Sequence, residues 1–236
     1  MKRQKIRKAL ITISTLLFPL SFFFLSPFVI VISAINGVLN GSAVFFGCLL
    51  VFSVFGSRLF CGWLCPGGGI QDAVSSSNDR KWNSAVKNMS KYIIWAVWLL
   101  FIIFLWTRHL PLHINPLYFI QIDTPYLIIY AIVVSCIYLF SLFTGKRGMC
   151  HSLCWMAPFM VIGEKLADLL HIPRFRLKSV PDTCISCEKC SRICPMGLPV
   201  FEMVKDQKMD HTECIHCLSC IDTCPKKSIK CGFFHK

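Results

Sequence analysis

Charge is what this sequence has least of. No Asp, Glu, Lys, Arg or His occurs from Ala9 to Ser57, a stretch of 49 residues, and charged residues make up only 16 % of the 236. With 55 % hydrophobic residues and a mean hydropathy of +0.59, an ordinary soluble globular protein is excluded. Acidic residues are scarcer than basic ones, 12 against 25, giving a net charge of +13 that by itself would suit a nucleic-acid binder. Its placement argues otherwise. Residues 1–180 carry 17 basic and 5 acidic side chains, residues 181–236 carry 8 and 7. A basic excess beside long apolar runs is what a membrane edge selects, so lipid and not nucleic acid is the expected surrounding. Also absent is C-x-x-C-H, which excludes covalent c-type haem attachment, and no flavin or molybdenum-cofactor signature occurs.

Cysteine, by contrast, is abundant, at 15 residues. Near the C-terminus the chain reads Cys184-Ile-Ser-Cys187-Glu-Lys-Cys190-Ser-Arg-Ile-Cys194-Pro195 and then Cys214-Ile-His-Cys217-Leu-Ser-Cys220-Ile-Asp-Thr-Cys224-Pro225. This is C-x2-C-x2-C-x3-C-P written twice, the spacing by which bacterial-type ferredoxins hold two [4Fe–4S] clusters. Three thiolates close together wrap one cubane, and the proline ends the loop so that the fourth points away to the other. The expected ligands are therefore Cys184, Cys187, Cys190 and Cys224 for one cluster, and Cys214, Cys217, Cys220 and Cys194 for the second. A zinc site has no use for the proline-terminated fourth cysteine, and a disulfide framework needs an oxidising compartment.

The charge-free stretch would reach about 74 Å as helix against about 30 Å for one crossing, so two crossings fit. The turn residues Asn36-Gly37 and Asn40-Gly41-Ser42 mark the break between them, and Pro19 and Pro27 kink the first pass or split off a short re-entrant piece. An apolar region of this length, followed at once by another, is too long for a cleaved signal peptide. Further apolar runs span Tyr92–Thr107 and Thr124–Thr144. Four crossings put both termini on one side, together with Lys2, Arg3, Lys5, Arg7, Lys8, Arg80, Lys81, Lys87, Lys91, Lys146 and Arg147; the opposite loops offer Arg108 and Asp123. The positive-inside rule assigns that side to the cytoplasm, the compartment where thiols stay reduced. Ile162, Leu166, Leus 169 and 170 share one helical face, which reads as a short interfacial helix, and 171–181 reads as a linker. The expected domains are a transmembrane domain over 1–162, an interfacial helix and linker over 163–180, and a ferredoxin domain over 181–236.

An internal repeat lies within the first domain. Gly56-Ser-Arg58-Leu-Phe-Cys61-Gly-Trp-Leu-Cys65 and Gly145-Lys-Arg147-Gly-Met-Cys150-His-Ser-Leu-Cys154 both read G-x-R-x-x-C-x3-C, offset by 89 residues. Each closes a two-crossing hairpin, so two parallel hairpins related by a pseudo-two-fold axis are expected. If each C-x3-C is one helical turn, Cys61, Cys65, Cys150 and Cys154 converge on a third redox or metal centre. The other uses of such thiols are packing or a thiol–disulfide pair. Arg58 and Arg147 mark the membrane boundary, and beside a thiolate they lower its pKa. Cys48 and Cys136 read as core residues, Cys231 as a spare thiol, and His109 and His113 as outer-face histidines within reach of a quinone headgroup.

Taken together, Ser26-Pro27, Gly41-Ser42, Arg58-x-x-Cys61-Gly-Trp-Leu-Cys65-Pro66-Gly-Gly-Gly-Ile-Gln-Asp72, and Cys150-x3-Cys154-Trp155-Met-Ala-Pro158-Phe-Met-x-x-Gly163 followed by the two cluster motifs resemble the NapH/MauN-like ferredoxin-type membrane proteins of periplasmic nitrate reductase and methylamine utilisation systems. The resemblance covers nearly the whole chain. It implies an all-α domain of four transmembrane helices plus an α+β ferredoxin domain, and a relay of electrons from the quinol pool to a redox partner protein in the inner membrane, without substrate chemistry of its own. A metal-ion or cofactor reductase, or a redox-dependent assembly or regulatory factor, working through the C-x3-C pairs, are the alternative readings.

Overall fold

The structure, a computed structural model, describes residues 2–75, 85–118 and 124–235. Arg80, Lys81, Asp123 and the Lys87 side chain, which entered the charge argument, lie outside the described residues. The charge-free stretch forms α1 (Lys2–Leu16), α2 (Phe18–Leu25), α3 (Pro27–Ile35) and α4 (Gly41–Gly56), with β1 (Val38–Leu39) before α4. The breaks fall where the prolines demand them. Pro19 and Pro27 sit in the first turns of α2 and α3, where a missing N–H costs nothing, and Ser26 ahead of Pro27 is extended, at φ −90° and ψ 118°. The first break bends α1 against α2 by 80°. Carbonyls freed at the second break do not go unpaired, because the buried Ser42 hydroxyl lies 3.1 Å from the Phe24 carbonyl and 3.0 Å from that of Ser26. Asn40 caps α4 by accepting from the Ala43 N–H at 3.0 Å.

The first C-x3-C follows as α5 (Leu59–Trp63) and α6 (Pro66–Ser75). The long helices α7 (Ala85–Arg108) and α8 (Thr124–Thr144) come next, with β2 (His113–Ile114) between them, and then α9 (Gly148–Ser152) and α10 (Met156–Leu169). Helices α7 and α8 are each long and apolar enough to cross a membrane, and the bent pair α1–α2 makes a third such unit if it counts as one span. Their outward faces are apolar: Val97, Leu100 and Phe104 on α7 and Ile128, Ile132 and Phe143 on α8 are exposed. Cys48 on α4 and Cys136 on α8, expected in the core, are likewise exposed. A small, weakly polar side chain can face hydrocarbon as readily as a protein interior, so sequence could not separate the two.

The two halves of the repeat exchange partners. Helix α6, which follows the first C-x3-C, packs on α8, and α10, which follows the second, packs on α4. At the α4–α10 crossing a Cβ on Gly163 would run into the Ser53 hydroxyl and lie 2.7 Å from the Leu50 carbonyl, so only glycine permits this approach. Helix α10 is longer than the interfacial piece read from sequence. It buries Met156, Met160 and Val161 against the bundle while leaving Leu166 and Leu169 exposed.

The 171–181 linker is also corrected. Residues 174–179 form β3 (Arg174–Ser179), paired antiparallel with β4 (Ile229–Phe234) from Arg174 opposite Phe234 to Ser179 opposite Ile229. The Arg-Phe-Arg-Leu-Lys-Ser alternation was too short and too charged to register as a strand, and pairing with the C-terminus is a long-range event. The ferredoxin module thus begins in this strand. Between β3 and β4 lie a 3₁₀ turn (Pro181–Thr183), α11 (Lys189–Arg192), α12 (Val200–Lys205) and α13 (Ser219–Thr223).

Replacing Gly163 with Val is expected to destabilise the bundle by about 1–3 kcal/mol through overpacking. Thermal unfolding in detergent checks this, with Ile162→Val on the exposed side of the same helix expected to leave the midpoint unchanged.

Candidate iron–sulfur and redox site

The two cluster motifs fold alike. Ser186 and His216, inside the first C-x2-C of each, and Glu188 and Leu218, just after the second cysteine, all take left-handed backbone, with φ of 54°, 49°, 56° and 62°. For residues other than glycine this is costly, and its repetition at matched positions turns each loop around a central cavity. One cavity is lined by Cys184, Cys187, Cys190 and, from the other motif, Cys224. The second is lined by Cys214, Cys217, Cys220 and, from the first motif, Cys194. The structure therefore brings the eight cysteines together in the two crossed sets of four. Burial drives the Cys194 thiol up to about 11, with the Cys217 charge adding to it, and pushes Cys214 and Cys220 up as well. Without a cation these sulfurs hold protons, and a metal must displace them. Ser228 donates its backbone N–H to the Cys224 sulfur at 3.3 Å, a hydrogen bond of the kind that tunes cluster potential. Two cavities each faced by four cysteines fit two cubanes. Among the described residues no group of three or more His, Cys, Asp or Glu is placed to hold a single metal ion.

The cavities differ in exposure. Cys194, Cys217 and Cys220 of the second are buried, while all four cysteines of the first are partly open. The difference arises because the second cavity faces the membrane half. Trp63 Nε1 donates to the His216 carbonyl at 3.1 Å, and Gly62 presses so closely on the Ile215 carbonyl that no Cβ would fit.

At this junction lies a buried ionic cluster around Glu213, the residue before Cys214. Its carboxylate pairs with Arg58 at 3.3 Å and with Lys91, both within the bundle and fully enclosed. Arg58 also donates to the Thr212 carbonyl at 2.5 Å. Burial raises the Glu213 pKa, but the Arg58 and Lys91 cations outweigh it and hold the carboxyl below its usual range. His151, the residue after Cys150, lies 3.6 Å from Glu213 and bonds the Met196 carbonyl and Asn88 Oδ1, each at 3.0 Å; burial holds its pKa near 4. Arg3 pairs with Asp222 and Gln4 with the Cys217 carbonyl at 3.0 Å, fixing the start of α1 to the module. Sequence reading missed Glu213, His151 and Gln4 altogether. It took Lys91 as a boundary charge, because nothing local reveals a partner more than a hundred residues away.

The C-x3-C turns also differ from expectation. Neither is a single helical turn: Cys61 and Cys150 lie in α5 and α9, but Cys65 and Cys154 fall in the breaks before α6 and α10. Leu64 and Leu153 end the short helices in matched fashion, with N–H bonds to Phe60 and Met149 at 2.9 Å. Arg147 is buried and clamps Asp72 through two bonds of 2.6 and 2.7 Å, so it is an internal ion-pair partner and not a boundary marker. His109 and His113 are exposed beside the β1–β2 pair, where His113 N–H bonds the Gly37 carbonyl at 3.1 Å. Cys231 lies half-buried in β4.

A chain whose cysteines gather into two four-sulfur cavities, with apolar helices packed beneath them, is a ferredoxin-type iron–sulfur protein. Sequence profiles agree: one described as a 4Fe-4S binding domain matches residues 41–84, and one described as a 4Fe-4S dicluster domain matches residues 176–225. The chain is 24 % identical over 199 residues to the ferredoxin-type protein NapH of Haemophilus influenzae, covering 77 % of this chain and 64 % of that one. It is 23 % identical over 177 residues to the methylamine utilization ferredoxin-type protein MauN of Methylobacillus flagellatus, covering 72 % and 60 %. Its C-terminal part is 42 % identical over 76 residues to the NAD(P)H-quinone oxidoreductase subunit I of Gloeobacter violaceus, covering 28 % and 33 %. Across the curated relatives it matches over most of its length, the chain spans from about half to about three quarters of theirs. No solved structure matches it. Over most of its length the chain is similar to the NapH- and MauN-type ferredoxin-type proteins, and the two profiles and the two four-cysteine cavities make [4Fe–4S] clusters its cofactors.

Replacing Glu213 with Ala strands Arg58 and Lys91 without their counter-ion and is expected to cost about 3–5 kcal/mol, releasing the module from the bundle. Because the carboxyl's folded pKa is lowered, this stabilisation is full above its ordinary value near 4.5 and fades as pH falls through the lower folded value. Limited proteolysis between 169 and 181 as a function of pH checks both: wild type should open only in acid, and the variant throughout.

Proposed function

We propose that this chain is an inner-membrane electron-transfer protein that passes electrons between the quinol pool, or a membrane partner, and a redox enzyme. Cys184, Cys187, Cys190 and Cys224 hold one cluster, and Cys214, Cys217, Cys220 and Cys194 the other. The observation that carries this reading is the pairing of a buried four-cysteine cavity against the membrane half with a more open one on the far side. Such clusters supply one-electron transfer and no bond chemistry. The residues around them do the rest. Thr212, Glu213 and His216 hold the inner loop on the bundle through Arg58, Lys91 and Trp63, so the distance from bundle to module is fixed. The outer loop leaves its cysteines accessible to a partner.

The membrane domain in this proposal has four crossings arranged as two parallel hairpins, with α1–α3 as a broken first pass and α4 as a short second. The reciprocal packing of α6 on α8 and α10 on α4 supports the two-fold relation. Both termini and the module then face the cytoplasm, in keeping with the basic residues clustered there. The family resemblance and the likeness of the module to a quinone oxidoreductase subunit support a quinol link.

Two experiments test these assignments. Cys194→Ser is expected to damage the cluster that shares Cys214, Cys217 and Cys220 and to spare its sequence neighbours; EPR showing loss of the Cys184–Cys190 cluster instead would overturn the crossed ligation. A reporter active only in the cytoplasm should work when fused after Lys236, and one active only in the periplasm should work when inserted at 36–42. The reverse pattern would refute the orientation.

A further inference from the structure

Four cysteines stand outside the two cavities. The electron-transfer reading does not use them, yet the fold brings them to one place. Two contacts tie the repeats together there. Arg147, just before the second pair, donates to the Cys61 carbonyl at 2.8 Å, and Gln71, just after the first pair, donates to the Cys150 sulfur at 3.2 Å. Cys61 and Cys150 are buried in one apolar core, which also contains Met160, whose sulfur lies 3.4 Å from that of Cys61. Cys65 and Cys154 pack together into the adjoining aromatic core beside Trp98, Trp155 and Phe159.

The surroundings suit an anion. Cys65 immediately precedes α6 and the Gly68 N–H faces its sulfur; Cys154 precedes α10 and is faced by the N–H groups of Met156 and Ala157. Both second cysteines of the repeat therefore sit at the positive ends of helices of ten and fourteen residues. The decisive feature is Arg58. Its guanidinium is fully buried, interacts electrostatically with Cys61 and Cys154 and lies within hydrogen-bonding reach of the Cys61 sulfur, while beyond Thr212 and Glu213 its Nε and Nη2 make no well-formed hydrogen bond among the described residues. Buried donors left this loosely engaged beside the sulfurs are poised for an anion held there, such as thiolates bound to a cluster.

We propose that Cys61, Cys65, Cys150 and Cys154 together hold a third iron–sulfur centre of the four-iron class, shared between the two halves of the repeat, with Arg58 as its charge partner. The inference rests on the electron-transfer reading and extends it. The 4Fe-4S profile over 41–84 covers Cys61 and Cys65 and, besides them, the exposed Cys48, too few for four-thiolate ligation, and the second pair comes from 89 residues further on. A mononuclear site would draw four sulfurs to about 2.3 Å from one ion, an arrangement not found among the described residues, whereas a cubane spreads them wider. A working dithiol that meets a dissolved metal ion needs both sulfurs of a pair within reach, and although Cys65 and Cys154 are partly exposed, their partners Cys61 and Cys150 are only 4 % and 7 % exposed. The place is also apt. Gly62 touches the loop between Cys214 and Cys217, so the centre lies between the apolar helices and the inner cavity.

Iron and labile sulfide in the full chain, purified anaerobically, test this. Three cubanes give about 12 iron and 12 sulfide per chain, and two give about 8 of each. The expected result is the higher value in wild type, falling by about a third in Cys65→Ser/Cys154→Ser while the EPR signals of the module persist. Wild type at the lower value, unchanged in that variant, overturns the third centre and leaves the two-cluster reading intact. Should the variant not fold, the wild-type stoichiometry still decides. Failure of the two-cluster reading looks different: iron would not fall in Cys190→Ser/Cys220→Ser. EPR supplies an independent readout: the reduced wild type should show one signal beyond the two of the module, lost in Cys65→Ser/Cys154→Ser, and its absence from wild type would again overturn the proposal.

Discussion

Everything above the bundle depends on one buried carboxylate. Glu213 enters the membrane half from the module and meets Arg58 and Lys91, cations that neither water nor lipid could solvate in that position. Removing all three charges together would be nearly neutral in energy, but removing any one is not, so the contact acts as a key more than as glue. The key fixes which face of the module lies down. The inner cavity follows, because Cys214 is the next residue, and the outer cavity is left open on the far side.

The repeat supplies the other half of the design. Arg58 and Arg147 occupy equivalent positions, are equally buried, and have taken different anions: Glu213 of the module for one, Asp72 of α6 for the other. The first arginine joins two domains, while the second joins the two repeats. One motif with two different anions lets a nearly symmetric bundle carry an asymmetric load.

The membrane half handles its own polar groups with equal economy. The proline breaks free carbonyls at Phe24 and Ser26, and a single serine from α4 covers both. Glu164 is a further buried carboxyl beneath the module. Burial raises it to about 7, against the pull of Arg58 and Arg174, so it exchanges protons near neutrality. Arg174 and Arg176 of β3 gather Asp168 and Asp210, closing the seam between α10 and the module from the side opposite Glu213.

Spacing was legible in the sequence, and partnership was not. The doubled C-x2-C-x2-C-x3-C-P pattern identified the cofactor, and the charge-free stretch and the apolar runs after it announced apolar helices, because loops around a cubane and segments in hydrocarbon are local requirements written residue by residue. The prolines located the helix breaks for the same reason. The 89-residue offset revealed the repeat, but its symmetry as sequence suggested two regular helical turns, and the chain instead ends one helix and begins another within each C-x3-C. Strand β3 looked like a linker because its partner is the last strand of the chain. Glu213 looked like an ordinary acidic residue, and Arg58 like a boundary charge. What only the tertiary structure decided is which buried charge meets which, since an ion pair across more than a hundred residues leaves no periodicity for a sequence to show.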